Sequence, residues 1–240
     1  MSFGAVADLY DRLRSPYPDA LIEEIAARQP ASVLDIGCGT GKSALPFMKP
    51  GVLVIGIEPD VKMAEIALSR GVTVEVATFE GWDPRGRGFD LITCGEAWHW
   101  IDPVAGVDKI AQLLTPGGIF ARFWNYHHLD DNIAAALDEV HRVHSPEVMG
   151  PDQATLNRAN ADPFCDRDEF YPVDAVDYTW TREVSVDEWV QLSSTYSAYR
   201  RLGEPRLRNL QQLMRETLAP FGPTMKILGG TYVRLVRRKQ

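Results

Sequence analysis

Apolar and polar positions along the chain follow two periods in turn. Val33-Leu34-Asp35-Ile36 and Val52-Leu53-Val54-Ile55-Gly56-Ile57 are short, nearly continuous apolar runs, as expected of strands buried on both faces. Leu21, Ile22, Ile25 and Ala26 before the first run, and residues 63–68 after the second, recur at helical spacing. Val72-Thr73-Val74-Glu75-Val76 reads as a third strand, Phe89-Asp90-Leu91-Ile92-Thr93-Cys94 as a fourth and residues 119–124 as a fifth. Between the last two, Asp102-Pro103 supplies an N-cap and a first-turn proline, and Val104, Val107, Ile110, Ala111 and Leu114 repeat helically until Thr115-Pro116-Gly117-Gly118. A short helix is expected after Gly41, disturbed at Pro46. This βαβαβα order predicts right-handed crossovers, a parallel sheet and ligands at the carboxyl ends of its strands.

The second half reads differently. Residues 126–172 hold one helical pattern, 133–144, then a Pro-, Asn- and Asp-rich stretch, and are expected to form a lid-like insertion. Val176, Tyr178 and Trp180 alternate with Asp177, Thr179 and Thr181, predicting a one-sided strand. Ser185 and Glu188 form a capping-box pattern that opens a helix expected to run through Tyr199. Leu207, Leu210, Met214 and Leu218 mark another helix, and residues 232–236 a final, antiparallel strand. The expected fold class is α/β: a Rossmann-like, seven-stranded, mostly parallel sheet with helices on both faces. One domain should span 1–240, with a helical cap at 1–30, a cofactor-binding core at 31–125, the insertion at 126–172 and completion of the sheet at 173–240.

A length of 240 residues suits one such domain. Charge narrows the partners: 25 Lys and Arg against 33 Asp and Glu give −8, which argues against nucleic acid. The cluster Arg234, Arg237, Arg238 and Lys239 reads as solvated cations on an edge strand. Cys38, Cys94 and Cys165 have the spacing of neither a zinc site nor a disulfide framework. They fit a reducing compartment. With no basic-then-apolar leader and no apolar run near the roughly 20 residues that span a bilayer, a soluble cytoplasmic protein without a membrane partner is expected.

Candidate chemistry begins at Asp35-Ile36-Gly37-Cys38-Gly39-Thr40-Gly41, a strand that ends in an acid and three alternating glycines. A nicotinamide fingerprint would need glycine at position 42, which is Lys42, and a phosphate-cradling loop would need it at position 36, which is Ile36. A carboxylate beside the loop repels a pyrophosphate and suits a cation. A second acid, Glu58, closes the second strand, where it can accept both hydroxyls of an unphosphorylated ribose. The two acids together point to S-adenosylmethionine, with Asp35 near its amino and sulfonium charges, directly or through water, and Glu58 on its ribose.

After the fourth strand comes Ala97-Trp98-His99-Trp100-Ile101-Asp102, and later Leu114-Thr115-Pro116-Gly117-Gly118. With the glycine loop these resemble the class I S-adenosylmethionine-dependent methyltransferases, within them the small-molecule group that includes trans-aconitate methyltransferases. Tyr10, Arg14-Ser15-Pro16-Tyr17-Pro18 and Thr195-Tyr196-Ser197 match elements of the same group in part. The resemblance implies that Asp35, Gly37, Cys38, Gly39 and Gly41 line the methionine moiety, while Glu58 holds the ribose. It places Pro59, Met63, Ala77, Thr78 and Phe79 around adenine, Glu96 and Ala97 near the methionine chain, and Tyr10 and Arg14 over its carboxylate. The group usually has glutamine where this chain has Glu96.

Methyl transfer from a sulfonium is an in-line displacement that needs alignment and exclusion of water but no metal, and it leaves S-adenosylhomocysteine. A hydroxyl acceptor needs a base, and His99 is the candidate. Trp98, Trp124, Tyr126, His127 and Tyr196 are assigned to the acceptor. His141 and His144 share a helix face without further ligands and read as polar-face residues. The expected activity is methylation of a small organic molecule at oxygen. A noncatalytic S-adenosylmethionine-binding regulator or partner subunit and an NAD-dependent oxidoreductase are the alternatives.

Overall fold

The computed structural model describes residues 4–240. Two N-terminal helices, α1 (Ala7–Leu13) and α2 (Asp19–Ala26), precede β1 (Ser32–Ile36), β2 (Leu53–Ile57), α3 (Val61–Ser69), β3 (Thr73–Glu75), β4 (Phe89–Gly95), α4 (Pro103–Leu113) and β5 (Leu114–His128). Then come α5 (Asp131–His144), α6 (Gln153–Ala159), β6 (Asp174–Ser185), α7 (Val186–Ser193), α8 (Ser197–Arg200), α9 (Glu204–Leu218) and β7 (Thr224–Arg237). All seven strands form one sheet in the order β3-β2-β1-β4-β5-β7-β6, and β7 runs antiparallel to both of its neighbours. Strand order reverses between β1 and β4, which opens a crevice at their carboxyl ends.

Alternation along the buried strands fills both faces. Leu34, Ile36, Phe89, Ile92, Phe120 and Trp124 pack on one side, and Val33, Leu91, Ala121, Phe123 and Val233 on the other. A third cluster, with Ile133 and Leu137 of α5 and Leu210 and Met214 of α9, covers the ends of β6 and β7. The antiparallel strands are longer than their alternation suggests because Gly229 and Gly230 interrupt it. Gly229 is required there: a Cβ would lie 2.3 Å from the Trp180 ring on the neighbouring strand.

Four expectations are corrected. No α-helix follows Gly41; Pro46, which lacks an N–H, sits in a single 3-10 turn, Leu45–Phe47. The helix opened by Ser185 carries its capping box but stops at Ser193 and restarts as α8, because the Ser193 and Thr195 hydroxyls fold back onto the Val190 and Leu192 carbonyls.

The insertion is not a free lid. Its helix α5 packs against α9, and Ala154, Phe164 and Phe170 enter the main core. The C-terminal basic cluster is only partly solvated: Arg234 joins a buried ion pair with Asp162, and Arg238 donates to the Leu114 carbonyl.

Candidate functional site

The loop after β1 turns through three left-handed glycines, Gly37, Gly39 and Gly41, at φ 63°, 55° and 89°. At Gly37 a Cβ would lie 2.5 Å from that of Ala97, so β1 and the end of β4 approach there as only glycine allows. The Cys38 amide donates to the Ile57 carbonyl at 3.0 Å, tying the loop to β2. No helix starts at this loop, so it lacks the N-terminal dipole that a pyrophosphate site uses.

Glu58 is buried and bridges the loop to α3: Oε2 accepts from the Gly39 amide at 2.9 Å and Oε1 from the Asp60 amide at 2.8 Å. Burial raises its pKa, while the two amides pull it back. Asp35, expected near the cofactor's charges directly or through water, does not line the crevice itself. It is fully buried beneath the loop, its oxygens accepting from Ser43 Oγ at 2.6 Å and Thr93 Oγ1 at 2.8 Å. The hydroxyls reach it because β1 and β4 pair in register, Asp35 beside Thr93. Burial pushes its pKa up to about 7 against these hydrogen bonds. Ser43, not Asp35, lines the crevice.

The crevice is bounded by Gly37, Cys38, Gly39, Thr40, Lys42 and Ser43 on one side. Tyr10, Arg14, Ser15 and Tyr17 from the N-terminal segment cover it, and Gly95, Glu96 and Asn125 close it from the ends of β4 and β5. The cap is fastened at several points. Asp11 accepts from Thr40 Oγ1 at 2.8 Å and pairs with Arg70. Arg14 donates through Nε to Thr195 Oγ1 at 3.0 Å and through Nη2 to the Thr195 carbonyl at 3.1 Å. Its guanidinium lies 3.9 Å from the centre of the Tyr196 ring and 5.2 Å from that of Tyr10. Tyr10, pushed up to about 12 by burial, stays neutral.

Glu96 sits at φ 59°, a strained position for a residue with a side chain, and its Oε1 accepts from the Asn125 amide at 2.6 Å. Burial raises its pKa and Arg14 lowers it. The crevice thus collects the Arg14 guanidinium from the cover, Lys42 from the glycine loop and the Glu96 carboxylate from the end of β4. Ala97 touches the loop at Gly37. On the other side of the loop, Met63 packs near Gly39, Phe79 is buried, Ala77 is half-buried, and Pro59 and Thr78 remain exposed.

The residues assigned to the acceptor do not all come together. His99 lies on the 3-10 turn Trp98–Trp100 after β4 and keeps an exposed surface, yet the surrounding protein withdraws enough water to push its imidazole down to about 4, helped by Arg14. His127, at the end of β5 and edge-on to Trp180 and Trp189, is likewise pushed down to about 4 by burial. Tyr196 covers Arg14. Trp98 and Trp124 are core residues instead, 6% and 1% exposed. Strand alternation puts Trp124 and Tyr126 on the face of Phe120, opposite to Asn125 and His127. Tyr126 is buried there under the Arg158 guanidinium.

Sequence reasoning missed Ser43, Thr93, Asn125 and Thr195. Thr195 carried a signal, its place in the Thr195-Tyr196-Ser197 element; the partners of Thr93 and Asn125 lie far away in the chain, and Ser43 reaches Asp35 only through the fold of the glycine loop.

Comparison with known proteins follows the same lines. Residues 10–148 match the family model described as a methyltransferase domain. An uncharacterized methyltransferase of Mycobacterium tuberculosis, Rv3342, is 31% identical over 128 residues, 52% of each chain. The matched region spans about half the length of that relative. A protein of Anaeromyxobacter dehalogenans described as a type II methyltransferase superposes with a TM-score of 0.64 at 20% identity, covering 92% of this chain and 97% of that one. A phosphoethanolamine N-methyltransferase of Haemonchus contortus, holding phosphomonomethylethanolamine and S-adenosylhomocysteine, has a TM-score of 0.54 at 14% identity, covering 99% and 58%. No helix among the described residues is long and apolar enough to cross a membrane.

Proposed function

The chain belongs to the class I S-adenosylmethionine-dependent methyltransferases, and on that footing we propose that it methylates a small organic molecule at an oxygen atom, as the ubiquinone-biosynthesis and malonyl-(acyl-carrier protein) O-methyltransferases among its relatives do by name. The observation that carries the cofactor in this reading is the presence of Arg14 and Glu96 in one crevice beside the glycine loop. Opposite charges in one crevice suit the carboxylate and ammonium of an amino acid, and a loop without a helix N-terminus does not suit a diphosphate. In this reading Glu58 takes the ribose hydroxyls, Arg14 the amino-acid carboxylate and Glu96 the ammonium. Met63, Ala77 and Phe79 flank the adenine.

When bound, the cofactor supplies a methyl group activated by a positively charged sulfur. The chain's own part is alignment and exclusion of water, which the Tyr10–Arg14–Tyr196 cover provides. His99 and His127, both neutral near pH 7, present lone pairs at the ends of β4 and β5, and His99 can take the proton of an acceptor hydroxyl. The run Ala97-Trp98-His99-Trp100-Ile101-Asp102 supports a place near the trans-aconitate methyltransferase group.

The test is incubation with methyl-labelled S-adenosylmethionine and a panel of small alcohols, phenols, carboxylic acids and amines, followed by mass spectrometry. Label on oxygen of one panel member is expected. Label on nitrogen alone, or tight cofactor binding with no product, overturns the proposal.

A further inference from the structure

The turn between α7 and α8 touches the candidate cofactor crevice at one end and a buried histidine at the other. At the near end, Thr195 receives two hydrogen bonds from Arg14 and Tyr196 lies against the same guanidinium. Three residues on, the Tyr199 hydroxyl meets His141 Nε2 at 2.9 Å, and the two rings stand nearly perpendicular with centroids 5.6 Å apart. The Tyr196 and Tyr199 rings are themselves 6.3 Å apart. His141 is not the polar-face residue that its spacing suggested: it is 8% exposed, on α5, which is anchored independently by its packing on α9.

Helix α8 is only one turn long and has no side-chain cap, so it has little stability of its own. Gln211 of α9 ties the start of the turn, donating to Ser193 Oγ at 3.1 Å and Ser194 Oγ at 2.7 Å, and the Tyr199–His141 hydrogen bond is a polar anchor on its far side. Arg14 is held by Thr195 and Tyr196, and those two are flanked by the Gln211 contacts on one side and the Tyr199–His141 contact on the other. A guanidinium has five N–H groups and donates two to Thr195 here, leaving others for a ligand. Where the remaining ones point is fixed by the turn that grips it.

We infer that Tyr199 and His141 are positioning residues for the cofactor's amino-acid end, acting through the α7–α8 turn on Arg14. Neither side chain lines the crevice, so neither touches the ligand. The inference rests on the reading of Arg14 as the carboxylate's partner.

The experiment compares S-adenosylhomocysteine with 5′-methylthioadenosine, which has the adenosine but no amino-acid end, by calorimetric titration of the full chain. Tyr199→Phe removes one hydroxyl and keeps the ring. It should weaken S-adenosylhomocysteine by about threefold to tenfold, the loss of roughly one hydrogen bond, and leave 5′-methylthioadenosine unchanged. His141→Asn should reproduce the effect, and the double variant should lose little more than either single one. A general loss of structure would weaken both ligands alike, and that outcome, or an unchanged affinity for S-adenosylhomocysteine in folded Tyr199→Phe, overturns the inference. Arg14→Ala separates the two layers. If it weakens S-adenosylhomocysteine while Tyr199→Phe does not, only the positioning role fails; if it leaves the preference between the two ligands intact, the reading of Arg14 and the inference fall together.

Discussion

Arg122 on β5 stands directly opposite Arg234 on β7 in the antiparallel register, and one carboxylate, Asp162, accepts from both, at 2.8 and 2.7 Å. Like charges facing each other across a strand pair repel, and Arg122 has almost no contact with water. Asp162 comes from the segment expected to be a lid. Its other oxygen accepts from the Phe164 amide, which seats Phe164 between Phe120 and Trp98. The segment is fixed to the sheet by charge as well as by apolar packing.

Asp162→Asn removes the counter-charge and leaves two buried guanidinium groups facing each other. It should cost about 3–5 kcal/mol of stability in urea unfolding, as breaking a buried ion pair does. S-adenosylhomocysteine affinity of the folded variant should stay near wild type. A loss below about 1 kcal/mol would show that the pair contributes little.

How much of this was legible in the sequence depends on how local the cause is. The buried runs of β1 and β2, the Asp102-Pro103 start of α4 and the Ser185–Glu188 box act within a few residues, and each element is found where expected. The glycine loop and Glu58 were legible for the same reason. Asp35 was half legible: its place at the end of β1 was clear, but Thr93, the partner that turns its carboxylate inward, lies 58 residues away. The fate of Trp124 turned on the phase of strand β5, which residues 119–124 alone do not connect to the site. Asp162 offered no pattern at all, since both of its arginines come from other elements.

Asp35 makes a pH prediction. Its native pKa of about 7 lies well above that of a free aspartate, mainly through burial, so between the two values the native state holds a proton that the unfolded chain releases. The contribution to stability is fully present below the unfolded pKa, declines as pH rises from about 4, and levels off above about 7. Urea unfolding across that range should show a shallower decline for Asp35→Asn than for the wild type. Parallel curves for the two proteins would sink this account.

Gly37→Ala forces a Cβ to within 2.5 Å of Ala97 and a side chain into the left-handed region. The expected outcome is a folded protein, destabilised by roughly 1–3 kcal/mol, whose affinity for S-adenosylhomocysteine drops at least tenfold. Calorimetric titration decides it, and wild-type affinity would mean that the loop does not border the ligand.

His99→Ala separates chemistry from binding. Because the imidazole is held near 4, it is neutral throughout the neutral range, and its limb of the wild-type rate profile should lie at about pH 4. An imidazole of this basicity is a weak base near pH 7, so the variant should lose about tenfold to a hundredfold in kcat and keep its affinity for S-adenosylhomocysteine. Unaltered kcat would remove His99 from proton transfer.

The most direct measurement of the central claim, that this crevice takes an adenosyl amino acid and refuses a dinucleotide, is thermal unfolding with each ligand at about one hundred times the expected Kd. S-adenosylhomocysteine should raise Tm by about 5–10 °C, the effect of roughly 2.7 kcal/mol of linked binding, while NAD leaves it unchanged. A rise with NAD and none with S-adenosylhomocysteine would contradict the account.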